Sequence, residues 1–334
     1  ARGPQRVTPP RGAAAMSELT AWWNLLTLVI TTSPVPSNPD TSVLRLIMSR
    51  WRLVPDLPRS AKLIQFDGAN PRLPADRLRA YDGFKREVRE LVSANADFAR
   101  TALSMSDELL FASHNLAAAV HAVNTTYMLV SQHDYVLTRP FDARNLLRTM
   151  AAVPTVRHVR LNVRANVARG FDSHVVNFTG PSVRVPLSKT CGWSDVPHVT
   201  TRRYYLDVAI PNNRGDHDHG KHKFMEESNH YKMMRNFAPG GCWALKQAVA
   251  KGETNPPWPD DFDRFGTYLY GWAGERGTYM EHRSLRGDQP QWGLDGPSRP
   301  FARGRGKARG RGGEARGRGK ARGRERGRRK GRGR

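Results

Sequence analysis

The chain has 334 residues, 38% of them hydrophobic, and a formal net charge of +24. No run of about 18 apolar residues occurs, which excludes a membrane-spanning helix. The most apolar window, residues 21–30, is too short for a span and lacks a signal-peptide cleavage pattern. Two cysteines, Cys191 and Cys242, exclude a disulfide framework and indicate a reducing compartment.

The positive charge is concentrated at the carboxyl end. Residues 302–334 hold 16 Lys and Arg, 2 Glu and no apolar side chain larger than Ala, so they carry +14 and residues 1–301 carry +10. Neither end can bury enough apolar area to offset chain entropy. We therefore predict a disordered leader over 1–20, one folded domain over 21–300, and a disordered Arg/Gly-rich tail over 301–334.

The amino-terminal half alternates apolar runs with helical patterns. Strands are predicted at Leu25–Thr31 and Ala61–Phe66, with a helix through Val43–Trp51 between them, and this order implies a parallel pair. A third apolar run, Leu109–Phe111, precedes a helix and the strand Tyr127–Val130. The expected fold class is α/β, a Rossmann-type and mostly parallel central sheet flanked by helices.

Weaker patterns predict the remaining elements. Periodicity indicates helices at Phe84–Leu91, Asn115–Val123, Ala143–Met150, Thr200–Ile210 and Phe224–Met234, a half-buried strand at Val156–Val163, and an aromatic strand at Phe265–Gly271. Between the last two helices lies a polar loop with His217, His219 and His222. Zinc or nickel binding is conceivable at these spacings, but a solvated histidine-rich insertion is favoured.

Polar residues follow two of the predicted strands directly. His133 and Asp134 end the apolar run at Tyr127–Val130, and Asp67-Gly68 ends the run at Ala61–Phe66. Ligands of open α/β sheets bind at the carboxyl ends of strands, and an Asp with a His can hold a divalent cation against a diphosphate. The plainer interpretations are a turn-capping Asp134 and an ordinary turn at Asp67-Gly68.

Several motifs together resemble a known family. They read LVITTSPVPSNPDT, KLIQFDG, YMLVSQHDYVL, TCGWSDVPH, FMEE and GTYLYG in chain order. Through them, residues 25–285 resemble glycosyltransferases of the GT-A fold, in the manner of glycosyltransferase family 2. The similarity is greatest to a glycosyltransferase-like group of algae and other microbial eukaryotes.

The resemblance implies a nucleoside-diphosphate sugar as donor and an acceptor that the sequence does not identify. Its nucleotide-sugar contacts match Thr31, Thr32, Ser33, Asp67, Gly68 and Gln132. Its Asp-any-Asp metal motif falls on Gln132-His133-Asp134, so only Asp134, with His133 beside it, is implied to hold Mn²⁺ or Mg²⁺. Its catalytic acid matches Glu226 or Glu227. A compartment containing nucleotide sugars and the cytoplasm both stay open.

Two residues of the TCGWSDVPH motif are also candidates. Trp193 has the flat apolar face that a sugar ring needs, although core packing explains it equally well. Asp195 can hydrogen-bond sugar hydroxyls and is a third candidate catalytic acid.

Two other functions remain open. The basic tail suggests non-specific, salt-dependent nucleic-acid binding, although it has no Phe or Tyr among its Arg-Gly units to stack on bases. The replacement of the first metal-motif Asp by Gln132 allows a glycosyltransferase-like protein that binds nucleotide sugars without turning them over.

Overall fold

A computed structural model describes residues 21–169, 172–214, 225–235, 241–254 and 256–283. The strands are β1 Leu26–Thr32, β2 Ala61–Phe66, β3 Thr101–Met105, β4 Tyr127–Gln132, β5 Tyr135–Leu137, β6 His158–Arg160, β7 Val175–Phe178, β8 Leu187–Thr190, β9 His198–Thr201, β10 Thr267–Tyr270 and β11 Met280–His282. The helices are α1 Ser42–Arg50, α2 Ala75–Ala94, α3 Phe111–Ala122, α4 Ala143–Ala152, α5 Arg202–Tyr204, α6 Ile210–Arg214, α7 Met225–Arg235, α8 Gly241–Ala250 and α9 Phe262–Phe265, with a π-helical segment Tyr205–Ala209 between α5 and α6.

In the described part of the chain, nine strands form one mixed sheet in the order β3-β2-β1-β4-β9-β6-β10-β8-β7. Strands β3, β2, β1 and β4 are mutually parallel, and β6 is parallel to β10. Only β9 and β8 run against their neighbours, so seven of the nine strands point the same way. The predicted α/β class with a mostly parallel central sheet is confirmed.

The parallel half of the sheet follows from its apolar strands. Leu28, Val29 and Ile30 of β1 are fully buried, as expected of a strand covered on both faces. Helix α3 packs on β1 and β2. Its alanines leave room for the close approach of a helix to a sheet. Because β1 pairs in parallel with both β2 and β4, the carboxyl ends of these three strands lie at one edge of the sheet.

Strand β3 differs from the prediction. The third strand is Thr101–Met105, not Leu109–Phe111, which lies in the loop and first turn of α3. Thr101–Met105 is a partly exposed edge strand, so its pattern lacks the continuous apolar run of a buried strand. Helix α2 is also longer than predicted, because it already begins at Ala75.

The later predictions are mixed. Of the predicted strand at Val156–Val163, only His158–Arg160 is strand; it lies between β9 and β10 in the interior of the sheet, and all three of its residues are buried. The aromatic strand and the helix from Met225 agree with their predictions. The loop with His217, His219 and His222 lies outside the described residues, as do the predicted leader and tail.

The cysteine count predicts no disulfide framework and a reducing compartment, but the two cysteines form a disulfide in the structure. Cys191, just after β8, forms a disulfide with Cys242, at the start of α8, across a Cα–Cα distance of 5.7 Å. Both residues are buried. Fifty-one positions separate them in the chain, so no local sequence pattern indicates that they pair. Every helix in the described part of the chain is too short or too polar to span a bilayer.

Candidate functional site

A cavity of about 480 Å³ opens at the carboxyl ends of β1, β2 and β4. This size lies within the range of small-molecule sites. Its wall contains Thr31, Thr32, Ser33, Pro34, Val35, Asp67, Asn70, Leu73, Leu109, Phe111, Ala112, Asn115, Leu116, Val130, Gln132, His133, Asp134 and Asp195. Apolar side chains come mainly from the β2 and α3 side, whereas the acids Asp134 and Asp195 lie on the β4 side.

The main chain of β1 holds both sides of this cavity in place. The N–H of Asp67 donates to the carbonyl of Thr32 at 2.9 Å, and the N–H of His133 donates to the carbonyl of Thr31 at 3.0 Å. Since β1 lies between β2 and β4, the strand ends that carry Asp67 and Asp134 are about 10 Å apart. One nucleoside diphosphate is long enough to reach both.

Asp67 is a buried carboxylate fixed by the loop before α3. Its Oδ1 accepts the N–H of Leu110 at 2.7 Å. Burial raises the pKa of Asp67, and hydrogen bonds from the main chain of Leu110, Gly68 and Phe111 oppose that rise. Phe111 has a φ of 57°, a strained conformation for a bulky residue, at the point where this loop turns into α3.

Asp134 lies in the turn between β4 and β5, opposite the end of β11. Its Oδ2 is 2.9 Å from Nε2 of His282, and its carbonyl accepts the N–H of Arg283 at 2.6 Å. The hydrogen bond that His282 donates to Asp134 raises the pKa of His282. Burial lowers the pKa of His133 and keeps this imidazole neutral, as a metal ligand must be.

The donor atoms beside this turn fit a divalent cation in part. Oδ1 of Asp134 and Nδ1 of His133 are buried and have no hydrogen-bond partner among the described residues. No group of three His, Cys, Asp or Glu side chains in those residues is arranged to hold a metal. One carboxylate with one imidazole suffices where diphosphate oxygens and water complete the shell, and the imidazole favours Mn²⁺ over Mg²⁺.

Asp195 is the most perturbed acid of the cavity wall. Burial, then the negative charges of Glu226 and Asp134, raise its pKa to about 7, although its own main-chain N–H lowers it. A carboxyl group with this pKa can take or give a proton near neutral pH. Burial raises the pKa of Tyr135, the same three acids raise it further, and Arg164 opposes them, which places these charges around one point.

The two glutamates differ in position. Both lie in the first turn of α7, and neither is part of the cavity wall. Glu226 is partly buried and acts on Asp195 through its charge, whereas Glu227 is exposed.

Gly68 supports the site without lining it. A Cβ at this position would meet the carbonyl of Glu108 at 2.2 Å, so only glycine allows the loop before α3 to pass this close. The other predicted nucleotide-sugar contacts, Thr31, Thr32, Ser33 and Gln132, all line the cavity.

The structure does not support the predicted contact of Trp193 with a sugar ring. Its side chain is fully buried, its Nε1 donates to the hydroxyl of Tyr204 at 2.8 Å, and its ring stacks on His158. The indole therefore exposes no face to a sugar, and core packing explains this residue.

Two residues of the site were missed in the sequence. Asn115 was included in a helix but not recognised as a wall residue, because an Ala-rich helix with one Asn gives no sign of which face meets a ligand. His282 reaches Asp134 only through the pairing of β11 with β5, across 148 positions of chain. A short segment containing a His has no pattern that indicates this contact.

Comparison with known proteins gives similarity of fold alone. No protein-family model and no curated protein matches the chain. Among solved structures, the mannosyltransferase PcManGT from Pyrobaculum calidifontis, in complex with GDP-Man and Mn²⁺, is 14% identical, with a TM-score of 0.39 over 72% of this chain and 68% of that one. Residues 1–349 of S. aureus TarS, in complex with UDP-GlcNAc, are 9% identical, with a TM-score of 0.33 over 55% and 46%.

HddC from Yersinia pseudotuberculosis is also 9% identical, with a TM-score of 0.34 over 60% of this chain and 83% of that one. This chain covers 46% of the TarS structure, which is less than half of its length. With identities this low and TM-scores below 0.5, these similarities carry no conclusion about activity.

Proposed function

We propose that the protein is a glycosyltransferase that moves a sugar from a nucleoside-diphosphate sugar to an acceptor hydroxyl. The observation that carries this proposal is the cavity across β2, β1 and β4, with an apolar side beside Asp67 and an acidic side at Asp134 and Asp195. A base and ribose suit the first side, and a diphosphate with its sugar suits the second.

The residues divide the chemistry between them. Asp134 and His133 would hold Mn²⁺ or Mg²⁺, which when bound neutralises negative charge that develops on the leaving diphosphate. Asp195 accepts the proton of the acceptor hydroxyl as general base, and its pKa of about 7 suits that task. Glu226 supports Asp195 by raising its pKa. Gln132 is a neutral member of the wall.

The proposal is tested first by nucleotide binding. Nucleoside diphosphates and their sugars should raise the melting temperature of the full-length protein, and Mn²⁺ should increase the shift. Asp134→Asn should reduce the metal-dependent part, since a charged oxygen ligand becomes neutral. Asp207→Asn is the matched control, because that carboxylate is exposed and lies elsewhere. If Asp134→Asn binds as the parent does, the cation site lies elsewhere.

Turnover separates a transferase from an inactive binder. Donor hydrolysis or transfer in the parent, lowered by roughly 10²–10⁴-fold in a variant without its base, would support the catalytic assignment. Glu226→Gln should lower turnover less than loss of Asp195, and the neighbouring Glu227→Gln should leave it unchanged. Binding without any turnover for all common donors would support the inactive alternative.

A further inference from the structure

Three buried polar residues meet at the apolar side of the cavity. Thr32 ends β1, Asp67 follows β2, and Asn115 belongs to α3. All three line the cavity and are at most 4% exposed. They converge on one atom, the carbonyl oxygen of Thr32, which accepts from the N–H of Asp67 at 2.9 Å and from Nδ2 of Asn115 at 3.4 Å. We call these three residues the Thr32 cluster.

The cluster has hydrogen-bonding capacity to spare. A carbonyl oxygen only accepts, so its contact with Nδ2 orients the amide of Asn115 and makes Oδ1 the free acceptor. Oδ1 of Asn115 and Oγ1 of Thr32 are buried and have no hydrogen-bond partner among the described residues. Buried polar atoms without a partner cost stability, so a ligand that satisfies them gains affinity.

The third member adds a charged acceptor. One oxygen of Asp67 is held by the N–H of Leu110, which fixes the direction of the carboxylate. The main chains of Gly68 and Phe111 also donate to this carboxylate, and because a carboxylate has about four acceptor positions on its two oxygens, about one remains for a ligand. The Thr32 cluster therefore offers two acceptor groups, on Asp67 and Asn115, and one hydroxyl that can donate.

We infer that the Thr32 cluster selects guanine as the base of the donor nucleotide, an inference that rests on the proposed function. Guanine is the nucleobase whose pairing edge has two adjacent donors, N1–H and the N2 amino group, next to one acceptor, O6. The acceptors of Asp67 and Asn115 match the donors, and the hydroxyl of Thr32 matches O6. Contacts of this kind to a carboxylate are among the stronger hydrogen bonds.

The other bases match the cluster less well. The edge of uracil has a single N–H between two carbonyl oxygens. Only one of the acceptors on Asp67 and Asn115 could therefore meet a donor, and the other would face a carbonyl oxygen of the base. Adenine and cytosine each have one amino group beside an acceptor ring nitrogen. Each of these bases leaves a buried polar atom unpaired, which is the strongest source of discrimination in a binding site.

The test compares four nucleotides on the full-length protein. Dissociation constants of GDP, UDP, ADP and CDP are measured by calorimetry with Mn²⁺ and again with a chelator. GDP should bind at least about 10-fold more tightly than any other, because one unpaired buried group is worth about that factor or more. The order should persist without metal, since the cluster is on the side of the cavity away from Asp134.

Variants assign the preference to the cluster. Thr32→Val keeps the shape but removes the hydroxyl, and Asn115→Leu removes the acceptor; each should reduce the ratio of UDP to GDP dissociation constants by about 5-fold or more. Thr32→Ser should retain the ratio. Thr27→Val is the matched control, because Thr27 lies on the same strand, at the other end, and pairs with Thr125. Melting temperatures show which variants fold.

The outcomes separate this inference from the proposed function. Equal binding of the four nucleotides, or tighter UDP, overturns guanine selection and leaves a glycosyltransferase with another donor. A GDP preference that survives in Thr32→Val and Asn115→Leu assigns selection to other residues and also overturns the inference. If none of the four binds with Mn²⁺, the proposed function itself fails.

Discussion

Replacing Asp195 by Asn should make the protein more stable and much less active. In the folded protein the pKa of Asp195 is raised to about 7, first by burial and then by Glu226 and Asp134. In the unfolded chain it returns to about 3.9. Asn has a similar shape and does not ionise, so the variant avoids the cost of holding a charge in this place.

The size and sign of the effect follow from linkage. A folded pKa above the unfolded one means that the stability contributed by this group is fully present below pH 4 and is lost as pH rises through 7. A difference of about 3 pKa units corresponds to at most about 4 kcal/mol, and partial exposure of the side chain reduces the expectation to about 2 kcal/mol. The unfolding free energy of Asp195→Asn, relative to that of the parent, should therefore rise by about 2 kcal/mol as the pH rises from 4 to 8.

Two measurements decide the matter. Denaturant unfolding of parent and variant at several pH values between 4 and 8, with a chelator present, gives the difference in free energy of unfolding. The exposed carboxylate Asp207 supplies the control, because Asp207→Asn should show no such gain at high pH. Donor turnover at pH 7 should fall by roughly 10²–10⁴-fold in Asp195→Asn.

A stability difference that does not change with pH would refute the raised pKa of Asp195. A pH-dependent gain in stability together with unchanged turnover would refute its role as base and pass that role to Glu226.

Three further predictions concern other parts of the chain. Burial lowers the pKa of His198 to about 4 and also lowers the pKa of His158, so the stability that these neutral imidazoles contribute is complete above pH 6.5 and is lost towards pH 4. The variant His158→Phe should therefore lose less unfolding free energy than the parent between pH 6.5 and pH 4. An equal loss in both proteins would contradict this. Loss of the Cys191–Cys242 bond, by Cys242→Ser or by reductant in the parent, should lower the unfolding free energy by about 4 kcal/mol, as expected for a closed loop of 51 positions. Denaturant titrations measure this, and a change below about 1 kcal/mol would show that the bond constrains the unfolded chain little. Deleting residues 302–334 should remove salt-sensitive retention on single-stranded nucleic acid and leave nucleotide affinity unchanged. If the shortened chain is still retained, the nucleic-acid binding belongs to the folded domain.

The buried parallel strands are the part of the fold that the sequence predicts well. Strands β1, β2 and β4 lie within two residues of their predicted bounds, since a strand covered on both faces is a continuous apolar run. The same rule explains the error at β3. Leu109 and Phe111 are apolar because they line the cavity, and in a sequence such a run looks like a strand.

Long-range contacts are the part that local patterns do not contain. Whether Trp193 faces a ligand or the core depends on Tyr204 and His158, which lie in other elements. The same holds for Cys191 and Cys242, whose pairing depends on how α8 returns to the end of β8. Each of these residues has two reasonable interpretations in the sequence, and only the neighbours supplied by the fold distinguish them.

The acids show how that distinction is made. Asp172 is a buried carboxylate like Asp67, but the guanidinium of Arg160 and the hydroxyl of Thr190 satisfy it, so it acts within the structure. Asp134 keeps a buried oxygen without a partner among the described residues, and Asp195 has a raised pKa and borders an open cavity. A carboxylate that is buried and compensated stabilises the fold it lies in. One that is partly buried, uncompensated and open to a cavity costs stability until a cation, a proton or a substrate arrives, and that cost is the physical sign of a functional acid.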